Sequence, residues 1–310
     1  MLKVKSLTHS YGPHKAIDNL EFHIQRGSIV GFLGPNGAGK STTMSIICGS
    51  VLGYEGEVWV DGVNLKSTPL LAKKKIGYLP ENPPLYEDML VQEYLQFVAQ
   101  LKGVPRSDLA DAIDEILEAL SLQDVKLRPI YKLSKGYRQR VGLAQAFVAK
   151  PELIILDEPT VGLDPQQINE FRKLILKCKG QSTILWSTHI LADVESTCDE
   201  IVVISKGKII ASGSQVQLRE RMKGQSSARF FVKQKNTLFE NAVTHLNGVG
   251  HVQWREEDMC YTVEYGEPVT LDEILKVALA KNLHIQKMDQ NSIDLEGLFL
   301  ELTKGTKDYR

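Results

Sequence analysis

The chemistry-bearing residues of this chain fall into a few short stretches. Gly34-Pro35-Asn36-Gly37-Ala38-Gly39-Lys40-Ser41-Thr42 has the spacing G-x-x-x-x-G-K-[ST]. Glycines let backbone N–H groups approach an anion that a Cβ would hold off. A helix starting at this loop would aim its N-terminus at the same anion. Lys40 could then reach the outer phosphates of a nucleotide, and the Ser41 hydroxyl could ligate Mg²⁺. Leu153-Ile154-Ile155-Leu156-Asp157-Glu158-Pro159 ends an apolar run in two carboxylates. Asp157 suits a divalent cation beside the phosphates, and Glu158 suits an attacking water. His189 closes another apolar run, where a terminal phosphate would lie.

Three further stretches carry weaker signals. Glu81 follows the short run Ile76–Leu79 and the breaker Pro80, so its carboxylate stands just past a strand end. Ligands collect there in α/β folds. In Leu133-Ser134-Lys135-Gly136-Tyr137-Arg138-Gln139-Arg140, Ser134 is a good N-cap. The cations Lys135, Arg138 and Arg140 oppose the dipole of the helix it would start. A docked anion would relieve that conflict, and so would acidic partners for the arginines. Tyr11, before Gly12, could stack on a base or simply close a turn.

These residues need strands to carry them and helices to space them. Ile29–Leu33, Leu153–Leu156 and Thr183–Trp186 are short, almost wholly apolar runs, as central parallel strands require. Residues 2–30 read as short strands joined by the loop that holds Tyr11. Gly56–Gly62 alternates and ends in an Asp-Gly turn. From Leu90 to Lys150 the period becomes helical, with Leu109, Ile113, Ile116, Leu117 and Leu120 on one face and Pro105 near the first turn. Strands follow at Glu200–Ser205 and Lys208–Ser212, turned by Lys206-Gly207.

The chain has 310 residues, about two domains by length. Its 43% hydrophobic and 24% charged content is ordinarily globular, and its net charge of −1 gives no polyelectrolyte signature. No nucleic-acid partner is expected on that ground. Cys48, Cys178, Cys198 and Cys260 lie far apart, with no metal or redox spacing, and read as free thiols of a reducing compartment. No secretory signal is visible, and no apolar run is long enough to span a bilayer. Any membrane contact is expected through a partner.

Taken together, GPNGAGKST (34–42), LSKGY (133–137), LIILDEP (153–159), VGLD (161–164) and His189, in this order, resemble the ATP-binding subunit of an ATP-binding cassette transporter. The resemblance covers residues 1 to about 220. It implies an α/β fold: a P-loop NTPase core with a mainly parallel sheet, an N-terminal antiparallel β subdomain and an inserted helical subdomain at about 86–150. It implies Mg-ATP as the bound nucleotide, held by Gly34 to Thr42 with Tyr11 on adenine. Ser41, Asp157 and Glu81 would serve the metal, Glu158 would be the base, and His189 the switch histidine. Ser134 and Gly136 would contact the γ-phosphate held by the opposite subunit, and Asp164 would lie at the dimer contact. Glu81 replaces the family's usual glutamine, and LSKGY replaces the commoner LSGGQ. Both changes resemble an exporter-type subgroup that includes gliding-motility and multidrug ATP-binding proteins.

The resemblance therefore implies an ATPase that works as a homodimer or heterodimer. It would be peripheral on the cytoplasmic face of the membrane and would power a transmembrane permease subunit, in an export role. Two alternatives are an ATPase that actuates a membrane machine without moving a solute, and a soluble cassette ATPase acting on ribosomes or DNA. Residues 222–227 read as a linker. Beyond it the order βαββαβ suggests a small ferredoxin-like α+β domain over 228–310, closed by a helix at Ile293 to Leu302. Packing or dimer support, or else ligand sensing, are the roles open to it.

Overall fold

The computed structural model describes residues 1–221 and 226–292. The chain divides into two compact units, the first Met1–Ser214 and the second opening at Gln215. This division comes ahead of the Arg221 boundary read from composition. Of the expected linker, 222–225 lie outside the described residues, and Ser226 and Ser227 already belong to a strand. The helix expected at Ile293 to Leu302 also lies outside the described residues.

The first unit begins with an antiparallel sheet. Strands β1 (Leu2–Tyr11) and β2 (His14–Ile24) form a hairpin, and β4 (Glu55–Val60) and β5 (Val63–Asn64) extend it in the order β2-β1-β4-β5. Between β2 and β4 the chain runs through β3 (Ile29–Leu33) and helix α1 (Lys40–Ile47). Helix α2 (Pro69–Lys74) leads into β6 (Ile76–Leu79). Then come α3 (Val91–Lys102), α4 (Leu109–Ala119) and α5 (Lys135–Phe147). The remainder is β7 (Leu153–Asp157), α6 (Pro165–Lys177), β8 (Thr183–Thr188), α7 (Leu191–Thr197), β9 (Glu200–Ser205) and β10 (Lys208–Ser214).

Six strands make the second sheet in the order β10-β9-β3-β8-β7-β6. All neighbours are parallel except β10 and β9, which form a hairpin. Every residue of β3, β7 and β8 is buried, as their unbroken apolar runs require. The register aligns Leu33 with Thr188, Asp157 with Ser187 and Leu79 with Leu156, so the C-terminal ends of four strands meet along one rim. A single apolar core joins the antiparallel sheet, α1 and one face of this sheet through Leu20, Ile24, Met44, Ile46, Val58, Ile155 and Ile204.

Helices α3 and α4 bury one stripe each, Val91/Tyr94/Leu95/Ala99 and Leu109/Ile113/Leu117. Pro105 stands ahead of α4 rather than in its first turn: its carbonyl accepts from the Asp108 N–H at 3.0 Å and closes the preceding turn. Helix α5 lies directly on β6. A Cβ at Gly77 would sit 1.9 Å from the Ala146 carbonyl oxygen, so only glycine permits this approach.

In the second unit, helix α8 (Gln215–Arg221) precedes β11 (Ser226–Val232), α9 (Thr237–Thr244), β12 (Val249–Arg255), β13 (Cys260–Tyr265), α10 (Leu271–Ala280) and β14 (Ile285–Ser292). The sheet order β12-β13-β11-β14, antiparallel throughout, is the ferredoxin-like arrangement. Phe230, Tyr261 and Val263 of the sheet pack with Phe239, Ile274 and Ala278 of the two helices. A capping box at Thr270 and Glu273 starts α10. Among the described residues no helix is long and apolar enough to cross a membrane.

Candidate functional site

The loop 34–39 leaves β3 and delivers Lys40 as the first residue of α1. Gly39, the N-cap, has φ 105°, a left-handed conformation in which its missing Cβ also avoids the Ala16 carbonyl at 2.7 Å. No side chain caps this helix and no acid sits in its first turn. Its leading N–H groups and dipole are therefore free to meet an anion. The Lys40 ammonium is buried and donates to the carbonyls of Gly34 at 2.8 Å and Pro35 at 3.2 Å. It also pairs with Glu158 Oε1 at 3.1 Å. Glu158 Oε2 in turn meets His189 Nδ1 at 2.9 Å.

Glu158 is held under strain. Its φ of 48° is left-handed, which costs a residue with a side chain about 1–2 kcal/mol. Its N–H is drawn to the Ser187 carbonyl at 3.1 Å and Oγ at 3.2 Å. Downstream, Gln139 Nε2 donates to the Pro159 carbonyl at 3.0 Å, and the Thr160 hydroxyl donates to buried Asp193 at 2.7 Å. Asp193 is also paired with Arg172. Such strain persists only where the surroundings over-determine it, and it concentrates at functional sites.

Asp157, one residue earlier, accepts from Ser41 Oγ at 3.3 Å and from Ser187 Oγ. Burial raises its carboxyl above the ordinary range, and the two hydroxyls pull it back only in part. A divalent cation at this point would stabilise the charged form. The residues present fit one: the Ser41 hydroxyl and the buried Asp157 carboxylate converge there. No cluster of three metal-ligating side chains exists among the described residues. A cation here therefore needs phosphate and water oxygens as well, which suits Mg²⁺.

One cleft of about 480 Å³ brings together Tyr11, Asn36, Gly37, Gly39, Lys40, Ser41, Thr42, Glu81, Glu158 and His189. Gly34 and Pro35 take part through the carbonyls that hold Lys40, and Ala38 is buried, its carbonyl taking the Gly207 N–H. Ser134, Gly136 and Asp164 do not line this cleft. Ser134 is exposed and caps α5. Gly136 lies against the Gln167 side chain of α6, and the Lys135 ammonium lies over Gly162. Asp164 caps α6 by accepting from the Gln167 N–H at 2.8 Å. The arginines beside Ser134 find acids: Arg138 pairs with Glu87 at 2.9 Å and Arg140 pairs with Glu170. That answers the electrostatic conflict for both arginines. Lys135 has no acidic partner among the described residues.

Sequence reasoning overlooked Ser187, Gln139, Asp193 and the cleft residue His14. Ser187 was within reach, because it sits beside Asp157 in the parallel register. Asp193 and Gln139 give no local signal, since their partners are tens of residues away.

The family model described as "ABC transporter" matches residues 17–161. The chain is 31% identical to the linearmycin resistance ATP-binding protein LnrL of Bacillus subtilis (strain 168), over 99% of both chains. This chain belongs to the ABC transporter ATP-binding proteins. It is also 31% identical to the bacitracin transport ATP-binding protein BcrA of Bacillus licheniformis, over 98% of both. Among solved structures, an ATP-binding subunit of an ABC transporter superposes with a TM-score of 0.67 at 32% identity, covering 71% of this chain and 92% of that one. The cassette is thus an ATPase that binds ATP with Mg²⁺, and its core is the P-loop NTPase fold.

Proposed function

We propose that two cassettes bind two Mg-ATP head to tail and that their closing and reopening drive a transmembrane partner that exports its substrate. One observation carries this reading. Lys40, Ser41, Glu158 and His189 share a cleft, with Asp157 held against Ser41 behind it, while the exposed Ser134 and its neighbour Gly136 do not line it. A second copy is what would bring these two residues to the phosphates.

In this account Lys40 gives up Glu158 and the loop carbonyls for the outer phosphates. Ser41 and Asp157 would hold Mg²⁺, with Glu81 lining the same cleft as Ser41. When bound, the metal neutralises charge on the phosphate oxygens. Glu158, released from Lys40 and oriented by His189, takes a proton from water as its oxygen attacks the γ-phosphorus. The bond to the bridging oxygen breaks, leaving ADP and phosphate. Tyr11 stacks on adenine. Residues 1 to about 221 form the cassette, with the following residues as an accessory domain.

The relatives named for linearmycin resistance and bacitracin transport support export, and they support a place on the cytoplasmic face of the membrane. Affinity purification of the chain from solubilised membranes tests the partner. An integral membrane protein that raises its ATPase rate is expected, whereas recovery with ribosomes alone would overturn the reading.

A further inference from the structure

Strand β1 carries a bulge with a consequence for the cleft. Leu2 and Val4 face the core, then the pairing with β2 and β4 slips, and Leu7 and His9 face it instead. Ser6 sits in the slip with φ 48°. On β4, a Cβ at Gly56 would come within 2.4 Å of the Lys5 and Ser6 carbonyls, so the partner strand is shaped to admit the bulge. Strand alternation puts His9 and Tyr11 on one face, two residues apart, and the phase shift turns that face inward at His9. His9 is 8% exposed, and Tyr11, at the strand end and the cleft wall, is 52% exposed.

His9 is an unusual core residue. Neither ring nitrogen has a hydrogen-bond partner, so the imidazole earns nothing from its polarity. What it does make is a ring contact: the His9 and Tyr11 centroids are 4.7 Å apart with planes at 89°. This edge-to-face geometry is the favoured one for aromatic pairs. Across the hairpin Tyr11 pairs with His14, itself in the cleft wall, and no other ring contact to Tyr11 occurs among the described residues.

We infer that His9 is a positioning residue for nucleobase binding: its edge-to-face contact holds the half-exposed Tyr11 ring in place at the cleft wall for stacking. This rests on the assignment of Tyr11 to adenine. Fixing the ring in advance lowers the ordering cost of stacking. It acts on binding and leaves the chemistry at Glu158 untouched.

The test uses the full chain with His9→Leu, which keeps apolar bulk without a ring, and His9→Phe, which keeps a ring without nitrogens. His9→Leu is expected to raise KM for ATP about fivefold at unchanged kcat, with inorganic tripolyphosphate bound as in the wild type. His9→Phe is expected to restore the wild-type KM. A folded His9→Leu protein with wild-type KM would overturn the inference, as would an equal loss of tripolyphosphate binding. Tyr11→Ala separates the two layers. If it leaves ATP affinity unchanged, the adenine assignment itself fails. If it weakens ATP while His9→Leu does not, only the role of His9 fails.

Discussion

Glu158→Gln should bind ATP more tightly than the wild type while hydrolysing it far more slowly. In this structure the Lys40 ammonium is engaged by two loop carbonyls and by Glu158 at 3.1 Å. Phosphate must displace at least one of these. A hydrogen bond to a charged group contributes about 1.5–3 kcal/mol and a neutral one about 0.5–1.5 kcal/mol. Replacing the carboxylate by an isosteric amide therefore weakens the competitor for Lys40 by about 1–1.5 kcal/mol. That is about five- to tenfold in ATP affinity. Removing the base should cost about 10²- to 10⁴-fold in turnover. Calorimetric titration with Mg-ATP, paired with a phosphate-release assay, reads both. A variant that binds ATP no more tightly would refute the competition, and one that releases phosphate at the wild-type rate would refute Glu158 as base.

Lys40→Ala removes the charged donor and should weaken ATP by about 2 kcal/mol, roughly thirtyfold, in the same titration. Asp157→Asn should raise the melting temperature of the nucleotide-free protein at neutral pH and shrink the shift produced by Mg-ATP. The sign follows from burial, which raises the folded pKa of Asp157 above its unfolded value. Between those two values the native state holds more protons, so this group's contribution falls as pH rises, and above them the buried charge is destabilising. Asp193→Ala should cost about 3 kcal/mol in denaturant unfolding by stranding Arg172 and Thr160. It should lower turnover more than ATP affinity, because it loosens the loop that strains Glu158. Gly77→Ala should cost about 3 kcal/mol, since its Cβ meets the Ala146 carbonyl.

Much of this molecule was legible in the sequence because its signals are local. The almost wholly apolar runs within β3, β7 and β8 read as buried parallel strands, and the residues just past them then gather on one rim. Asp157, Glu158 and His189 were read that way, and Lys40 from its spacing in the glycine-rich loop. The capping box of α10 and the turn at Lys206-Gly207 are equally local. Strand phase was harder. The Ser6 bulge sends His9 inward, and only the backbone reveals it, because Ser6 and Gly56 are distant in sequence. The arginines near Ser134 left two readings open, a docked anion or acidic partners, because Glu87 and Glu170, which pair with them, lie 51 and 30 residues away.

The measurement closest to the central claim is the mass of the Glu158→Gln chain in solution at saturating Mg-ATP, by light scattering on a sizing column. The account predicts a dimer holding two ATP that returns to monomer on ADP, and that fails to form when Ser134→Arg is added. A monomer with ATP bound, or a dimer indifferent to Ser134→Arg, would contradict it.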